Sequence, residues 1–296
     1  MEQWFEQVFF FPSATTTGSA GVVLSCGIHG DETGPIHLIQ TIHQLLVTGH
    51  LQTQRPLLLI YGNPNAIRDN KRYVDFNLNR LFGPTSHTGA ETLRAGDLMS
   101  ACSRFQRQVG HVACHLDLHS TIKPSLIERF ALRPINNRCS SIQWGTHLVN
   151  AGFGGLVQQS HRTQTFAQFT CDSLGCDSFT LECGSHSQPD ITQFEALKNW
   201  ILTLLADPGF LNQQASRTTA NSTFKHFVVK EDIIKTTSQF KFLIDERTPN
   251  FTLLPIGTDV YEDKNGILKT SEARYTLFLN SKVEIGQRAG LLLSNI

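Results

Sequence analysis

The stretch that most limits the fold is Gly21–Pro35. An apolar run, Gly21-Val22-Val23-Leu24, leads straight into Ser-Cys-Gly-Ile-His-Gly-Asp-Glu-Thr-Gly-Pro, and a helical pattern continues from Pro35 to Thr48. A strand, a Gly-rich loop and a helix in immediate succession belong to α/β folds, whose sites gather beyond the C-terminal ends of strands. His29 and Glu32 lie in that loop, and Gly27 and Gly30 let the chain turn so that imidazole and carboxylate can face one ion. In the helix that follows, Leu38, Ile39, Ile42, Leu45 and Leu46 share a face, Pro35 suits the first turn and Gly49 stops it.

Two ligands do not make a catalytic metal site, which usually takes three protein ligands and leaves a position for water. A third candidate closes another strand: Val112–Leu118 reads Val-Ala-Cys-His-Leu-Asp-Leu and is followed by His119-Ser120-Thr121. Alternation puts His115, Asp117 and His119 on one face, with His119 best placed to project from the strand end. Taken alone, any of the twelve histidines is more often a surface or hydrogen-bonded core residue than a ligand. The Gly-rich His-x-x-Glu after one strand, together with Asp-Leu-His at the end of a second, favours a metal. His29, Glu32 and His119 are therefore the expected ligand set for one zinc ion per chain, although iron, cobalt or manganese suit the same donors. His115 shares the face and competes with His119. Asp117 reads either as a partner of a ligand histidine or as an ordinary strand residue, and His186 is given no role.

Further strands and helices alternate along the chain. Pro56–Tyr61 is apolar throughout, as a strand buried on both faces would be, and ends in the turn Gly62-Asn63-Pro64. Helices are expected over Glu91–Val109, Ser140–Asn150, Thr165–Leu174 and Gln188–Leu205, and strands over His111–Leu118, Ile127–Leu132, Gly155–Gln158 and Asp177–Cys183. The last of these ends with Glu182. This order indicates an α/β fold with a mixed or largely parallel sheet flanked by helices. After the break at Asp207-Pro208-Gly209 and a polar stretch come short β-like runs at Phe224–Val229, Phe240–Ile244, Thr258–Tyr261, Tyr275–Leu279 and Gly290–Leu293. Two domains are expected, a catalytic α/β domain over 1–210 and a small C-terminal β domain over 222–296.

Charge and cysteine content exclude several classes. Basic and acidic residues balance at 25 each, which implies no nucleic-acid partner. The N-terminus has no basic run, and its apolar stretch Val8–Phe11 is far too short for a signal or membrane span. The seven cysteines show no CxxC spacing and suit buried positions better than a disulfide framework. A cytoplasmic protein without a membrane partner is expected. No Gly-x-Ser-x-Gly elbow is present, which disfavours a serine hydrolase.

Asn63–Arg80, just past the second strand, carries four basic residues and several amides. One connection away from a metal site, such a loop suits a small anionic substrate, because arginine pairs with carboxylates through two hydrogen bonds. In order, GIHGDETGP, NPNAIRDNKRYVDFNLNR, HLDLH and TLECG resemble the succinylglutamate desuccinylase and aspartoacylase family, related to the zinc carboxypeptidases. The resemblance spans Gly21 to Cys183 and continues more weakly over Tyr275–Leu293. HLDLH and this C-terminal similarity lean towards the desuccinylase branch.

The resemblance implies roles residue by residue. His29, Glu32 and His119 match the zinc ligands, Arg72 the arginine that polarises the scissile carbonyl, Asn79 and Arg80 the pair that holds a substrate carboxylate, and Glu182 the general base. It implies a zinc-carboxypeptidase-like sheet and hydrolysis of an N-acyl amino acid, N-succinylglutamate foremost, in arginine catabolism. The chain departs from the pattern in two places. It begins close to the first metal strand and is expected to lack an N-terminal segment found in the desuccinylases, and Asn77 stands where some members carry Asp. An aspartoacylase-like deacylase, a metallocarboxypeptidase and a non-catalytic zinc- or ligand-binding relative are the alternatives. Retention of Glu182 with all three ligands argues against the last.

Overall fold

A computed structural model describes residues 1–15, 19–136, 140–186, 194–213 and 224–296. The chain opens with β1 (Glu2–Phe5) and β2 (Val8–Phe11), an antiparallel hairpin. It continues with β3 (Gly21–Cys26), α1 (Thr33–Val47), β4 (Leu57–Tyr61), α2 (Pro64–Arg68), α3 (Ala90–Val109), β5 (Val112–Thr121) and β6 (Phe130–Arg133). Then come α4 (Trp144–Asn150), β7 (Gly155–Gln158), α5 (Phe166–Leu174), β8 (Asp177–Ser185) and α6 (Glu195–Ala206). The first seven residues of the helix expected over Gln188–Leu205 include positions outside the described residues, and the described part begins with α6.

Strands β4, β3, β5 and β8 lie side by side and parallel. Side-chain alternation divides them between two helical layers. Val22, Leu24, Cys26, Leu57, Leu59, Leu116, Leu118, Phe179 and Leu181 pack with α1, α4 and α6, while Val23, Leu58 and Ile60 pack with α3 and α5. Burial on both faces is why β3 and β4 read as nearly continuous apolar runs, whereas β5 and β8 keep one polar face, with His115, Asp117 and His119 on β5 and Glu182 on β8. The chain moves from β3 through α1 to β4 on one side, then through α3 to β5 on the other. The two crossovers lie on opposite faces, so a crevice opens between the C-terminal ends of β3 and β5.

The remaining strands are β9 (Lys225–Ile234), β10 (Lys241–Phe242), β11 (Leu253–Leu254), β12 (Asp259–Asp263), β13 (Gly266–Lys269), β14 (Arg274–Leu277) and β15 (Arg288–Asn295). They do not form a separate sheet throughout. β9 pairs in parallel with β7, so one sheet of 12 strands runs in the order β1-β2-β4-β3-β5-β8-β6-β7-β9-β15-β14-β11. β10, β12 and β13 make a second sheet of three strands. A shared core of Phe130, Leu132, Val157, Phe227, Phe251, Leu277 and Leu291 seals the join. The loop leaving β5 is held from the same side: Asn250 N donates to Pro124 O at 2.9 Å, and Leu126 N donates to Asn250 O at 3.1 Å. No described helix is long and apolar enough to cross a membrane.

Candidate metal and catalytic site

The loop after β3 is shaped by two glycines. Gly27 has φ +65°, a left-handed conformation that side chains resist. Gly30 is pressed on α2, where a Cβ would stand 2.1 Å from the Ala66 carbonyl carbon. Glu32 precedes the first turn of α1, where the helix dipole favours a carboxylate. Its side chain does not cap the helix but turns inward. His29 Nδ1 lies 2.8 Å from Glu32 Oε1, and His119 Nδ1 lies 3.0 Å from Glu32 Oε2. The candidate ligand atoms of the three residues all fall within 4.8 Å of one another, and all three residues are buried. Ser120 N donates to Glu32 Oε2 at 2.9 Å, fixing the carboxylate across the crevice.

The outer nitrogens of both histidines have partners that set their tautomers. Asn77 Oδ1 stands 3.1 Å from His29 Nε2, and Asp117 Oδ2 stands 2.9 Å from His119 Nε2. Each acceptor holds a proton on Nε2 and leaves Nδ1 facing the cluster. Asp117 is thus the partner of a candidate ligand histidine. Its other oxygen accepts from Ser25 Oγ at 2.5 Å. His115 faces away from the cluster, with Nε2 2.8 Å from Ser25 Oγ and Nδ1 2.7 Å from Thr170 Oγ1. Of the two candidates on β5, the geometry selects His119.

The donor set fits a divalent cation. Burial alone would raise the Glu32 carboxyl, but His119 and His29 outweigh it and hold the group well below the usual carboxylate range. Burial would lower His119, but Asp117 and Glu32 outweigh it and raise the imidazole well above its ordinary value. A histidine proton held against buried carboxylates marks a place where positive charge is favoured. His29, by contrast, is lowered, chiefly by burial, which suits a neutral ligand.

Glu182 lies beside the cluster on β8. It accepts from Thr121 Oγ1 at 3.0 Å, and its pKa is raised to about 7, chiefly by burial, with His119 opposing and Glu32 reinforcing the shift. A carboxyl so placed can take and return a proton near neutral pH.

The polar loop after β4 is more ordered than its composition implies. Asn63 caps α2, accepting from Ala66 N at 3.2 Å. Buried Glu91, in the first turn of α3, accepts from Val74 N at 2.6 Å, Asp75 N at 3.2 Å and Asn63 Nδ2 at 3.2 Å. These bonds hold the segment that carries Arg72 and Asn77. Arg72 Nη1 donates to Glu32 Oε1 at 3.2 Å, placing its guanidinium beside the ligand set. Asn77 Oδ1 also accepts from Asn79 N at 3.0 Å, starting the short turn Leu78–Arg80. Asn79 is buried and accepts from Phe166 N at 2.9 Å. Arg80 Nη1 donates to Asn79 O at 2.9 Å. Arg80 is exposed to solvent, and the surrounding protein, then Arg288 and Arg72, lower its pKa.

His29, Glu32, His119, Glu182 and Arg72 thus share one cluster, and Asn79 and Arg80 flank it. Sequence reading did not give a role to Asn77, Thr121, Ser25 or Thr170. Asn77 stood out only as a departure from a motif, and Thr121 is marked only by closing the same strand as His119. The contacts of Ser25 and Thr170 join distant segments and leave no local signal.

Residues 19–207 match the succinylglutamate desuccinylase/aspartoacylase catalytic domain, and residues 222–296 match the AstE/AspA barrel-sandwich hybrid domain. The succinylglutamate desuccinylase of Photorhabdus laumondii is 33% identical over 290 residues, covering 94% of this chain and 87% of that protein. The solved structure of the succinylglutamate desuccinylase from Chromobacterium violaceum is 27% identical, with a TM-score of 0.81, over 98% of this chain and 94% of that one. That from Vibrio parahaemolyticus has a TM-score of 0.86 at 24% identity, over 98% and 86%, and supports the fold.

Proposed function

We infer the reaction from a premise of kinship: the chain belongs to the succinylglutamate desuccinylase/aspartoacylase family. We propose that it is a zinc-dependent amidohydrolase that removes the acyl group from an N-acyl amino acid, with N-succinylglutamate cleaved to succinate and glutamate, as in arginine catabolism. The observation that carries this reading is Glu182, a buried carboxyl with a pKa of about 7 set beside a His-Glu-His cluster. The names of the relatives support the choice of substrate.

His29, Glu32 and His119 would hold the zinc, which supplies Lewis acidity and lowers the pKa of a water towards neutrality. Glu182 takes a proton from the attacking water and later passes it to the departing amine. Arg72, held beside Glu32, stabilises the charge that develops on the amide oxygen. Asn79 and Arg80 hold a substrate carboxylate. Asn77 and Asp117 keep the ligand imidazoles in one tautomer throughout.

The test is a hydrolysis screen with zinc-loaded protein against N-succinylglutamate, N-acetylaspartate and short peptides, following release of the free amine. Preferential cleavage of N-succinylglutamate is expected. Cleavage of peptides alone, or of none of the three classes, would overturn the reading.

A further inference from the structure

The Asn79–Arg80 corner is bordered by the C-terminal strands. Phe166 N donates to Asn79 Oδ1 at 2.9 Å, and Phe82 N donates to Gln164 O at 3.3 Å, so the segment between β7 and α5 is fixed to that corner. Within the same segment, His161 Nε2 contacts Asp232 Oδ2 on β9. Arg288 starts β15 opposite Ile234, and Asp232, two residues earlier on β9, shares the face of Ile234 by alternation. Arg288 therefore comes to the same place as Asp232, within electrostatic reach of Arg80.

The charges at this place do not balance. Arg80 and Arg288 are positive, and Arg72, also nearby, is already paired with Glu32. Asp232 lies within electrostatic reach of both Arg80 and Arg288, but its Oδ2 is engaged by His161. Its Oδ1 accepts no hydrogen bond among the described residues. The Arg288 guanidinium makes no side-chain hydrogen bond or ion pair among the described residues, and Arg80 donates only to the neighbouring Asn79 carbonyl. Two guanidinium groups within electrostatic reach of one another, each with donors unspent, suit a carboxylate that can accept from both. Neutralisation by a bound anion offsets a repulsion that the fold otherwise sustains.

We propose that Arg288, carried by the C-terminal strands, joins Arg80 in holding one carboxylate of the substrate. The C-terminal part of the chain then reads an anionic end of the N-acyl amino acid. This rests on the deacylase reading above, and it adds a specificity-determining residue that lies outside the four motifs.

The test uses full-length, zinc-loaded protein and N-succinylglutamate, with three analogues in which each carboxylate in turn is a carboxamide. Wild type should discriminate against one amide most strongly. Arg288→Gln and Arg80→Gln should both lose discrimination against that same amide, and Arg288→Gln should raise KM for the free acid about tenfold or more with little change in kcat. Arg288→Lys keeps the charge and loses the fork. It should raise KM for the free acid but not for that amide, and it decides the matter if the Gln variant does not fold. Unchanged KM with wild-type discrimination against all three amides would overturn the proposal. Calorimetric binding of succinate and glutamate separates the two readings. If wild type cleaves no N-succinyl compound, the deacylase reading fails, and binding alone judges the seat. A roughly tenfold weaker affinity for one of these acids in Arg288→Gln upholds the seat, and equal affinities overturn it.

Discussion

His119 and Glu182 face one another as direct partners in the parallel pairing of β5 and β8. The candidate ligand and the carboxyl are thus held in register by backbone hydrogen bonds, on the face that also carries Asp117 and Ser25. Rigid strands position such groups more tightly than loops do, and the two roles are separable by substitution.

Glu182→Gln should keep the metal and lose most turnover, by about 100- to 10,000-fold, the usual cost of a lost general base. Metal content and kcat measured on the same preparation check this. A metal-replete variant with near-wild-type kcat would assign the base elsewhere. Wild-type kcat/KM should fall as pH drops through the Glu182 pKa, and this acidic limb should be absent from the residual activity of the variant.

The raised pKa of Glu182 also predicts a stability trend in metal-free protein. The folded state binds this proton more tightly than the unfolded chain, about 7 against 4.5. Stability from this group is therefore greatest below the unfolded value and falls as pH rises from 4.5 to 7. The loss is roughly 3 kcal/mol once the carboxyl is fully ionised. Metal-free Glu182→Gln should melt above metal-free wild type at pH 8, and the gap should close by pH 4. A gap independent of pH would contradict the burial of an ionised carboxylate.

Chelation should abolish activity, and zinc titrated back should restore it at one equivalent per chain. His119→Ala should bind no stoichiometric zinc. Asp117→Asn and Asn77→Ala should still bind it, with affinity reduced about 10- to 100-fold, since the first removes the charge and the second the acceptor that orients a ligand imidazole. Competition with a metal indicator measures all three.

Arg72 and Arg80 should separate in kinetics. Arg72→Ala should chiefly lower kcat, by about 100-fold or more, because it meets charge present only in the transition state. Arg80→Lys should chiefly raise KM, because lysine cannot reproduce paired hydrogen bonds to a carboxylate. If both variants altered KM alone, Arg72 would be a binding residue.

The parts of this arrangement that sequence reading reached are those with local signals. β3 and β4 are largely apolar on both faces and β5 and β8 on one, and Gly27 and Gly30 mark a turn that only small residues allow. His29, Glu32 and His119 stand at strand ends, so their convergence follows from the α/β order. The hairpin β1–β2 was not read, because Val8–Phe11 is short and its partner β1 is polar on its exposed face. The turn pieces within Asn63–Arg80 were hidden because a buried acid 17 residues beyond Val74, Glu91, supplies the acceptors. The seat at Arg288 depends on the pairing of β9 with β7 and β15, a long-range choice with no periodicity to announce it.

That pairing has a consequence for the integrity of the chain. β7 is four residues long and has β6 on one side and β9 on the other. A chain cut before Lys225 would leave β7 as a bare edge, with open backbone donors and acceptors beside Phe130, Leu132 and Val157 stripped of their cover. Such an edge is a template for another strand, from a second molecule as readily as from the missing one. The C-terminal strands are in this sense the guard that keeps the sheet from growing.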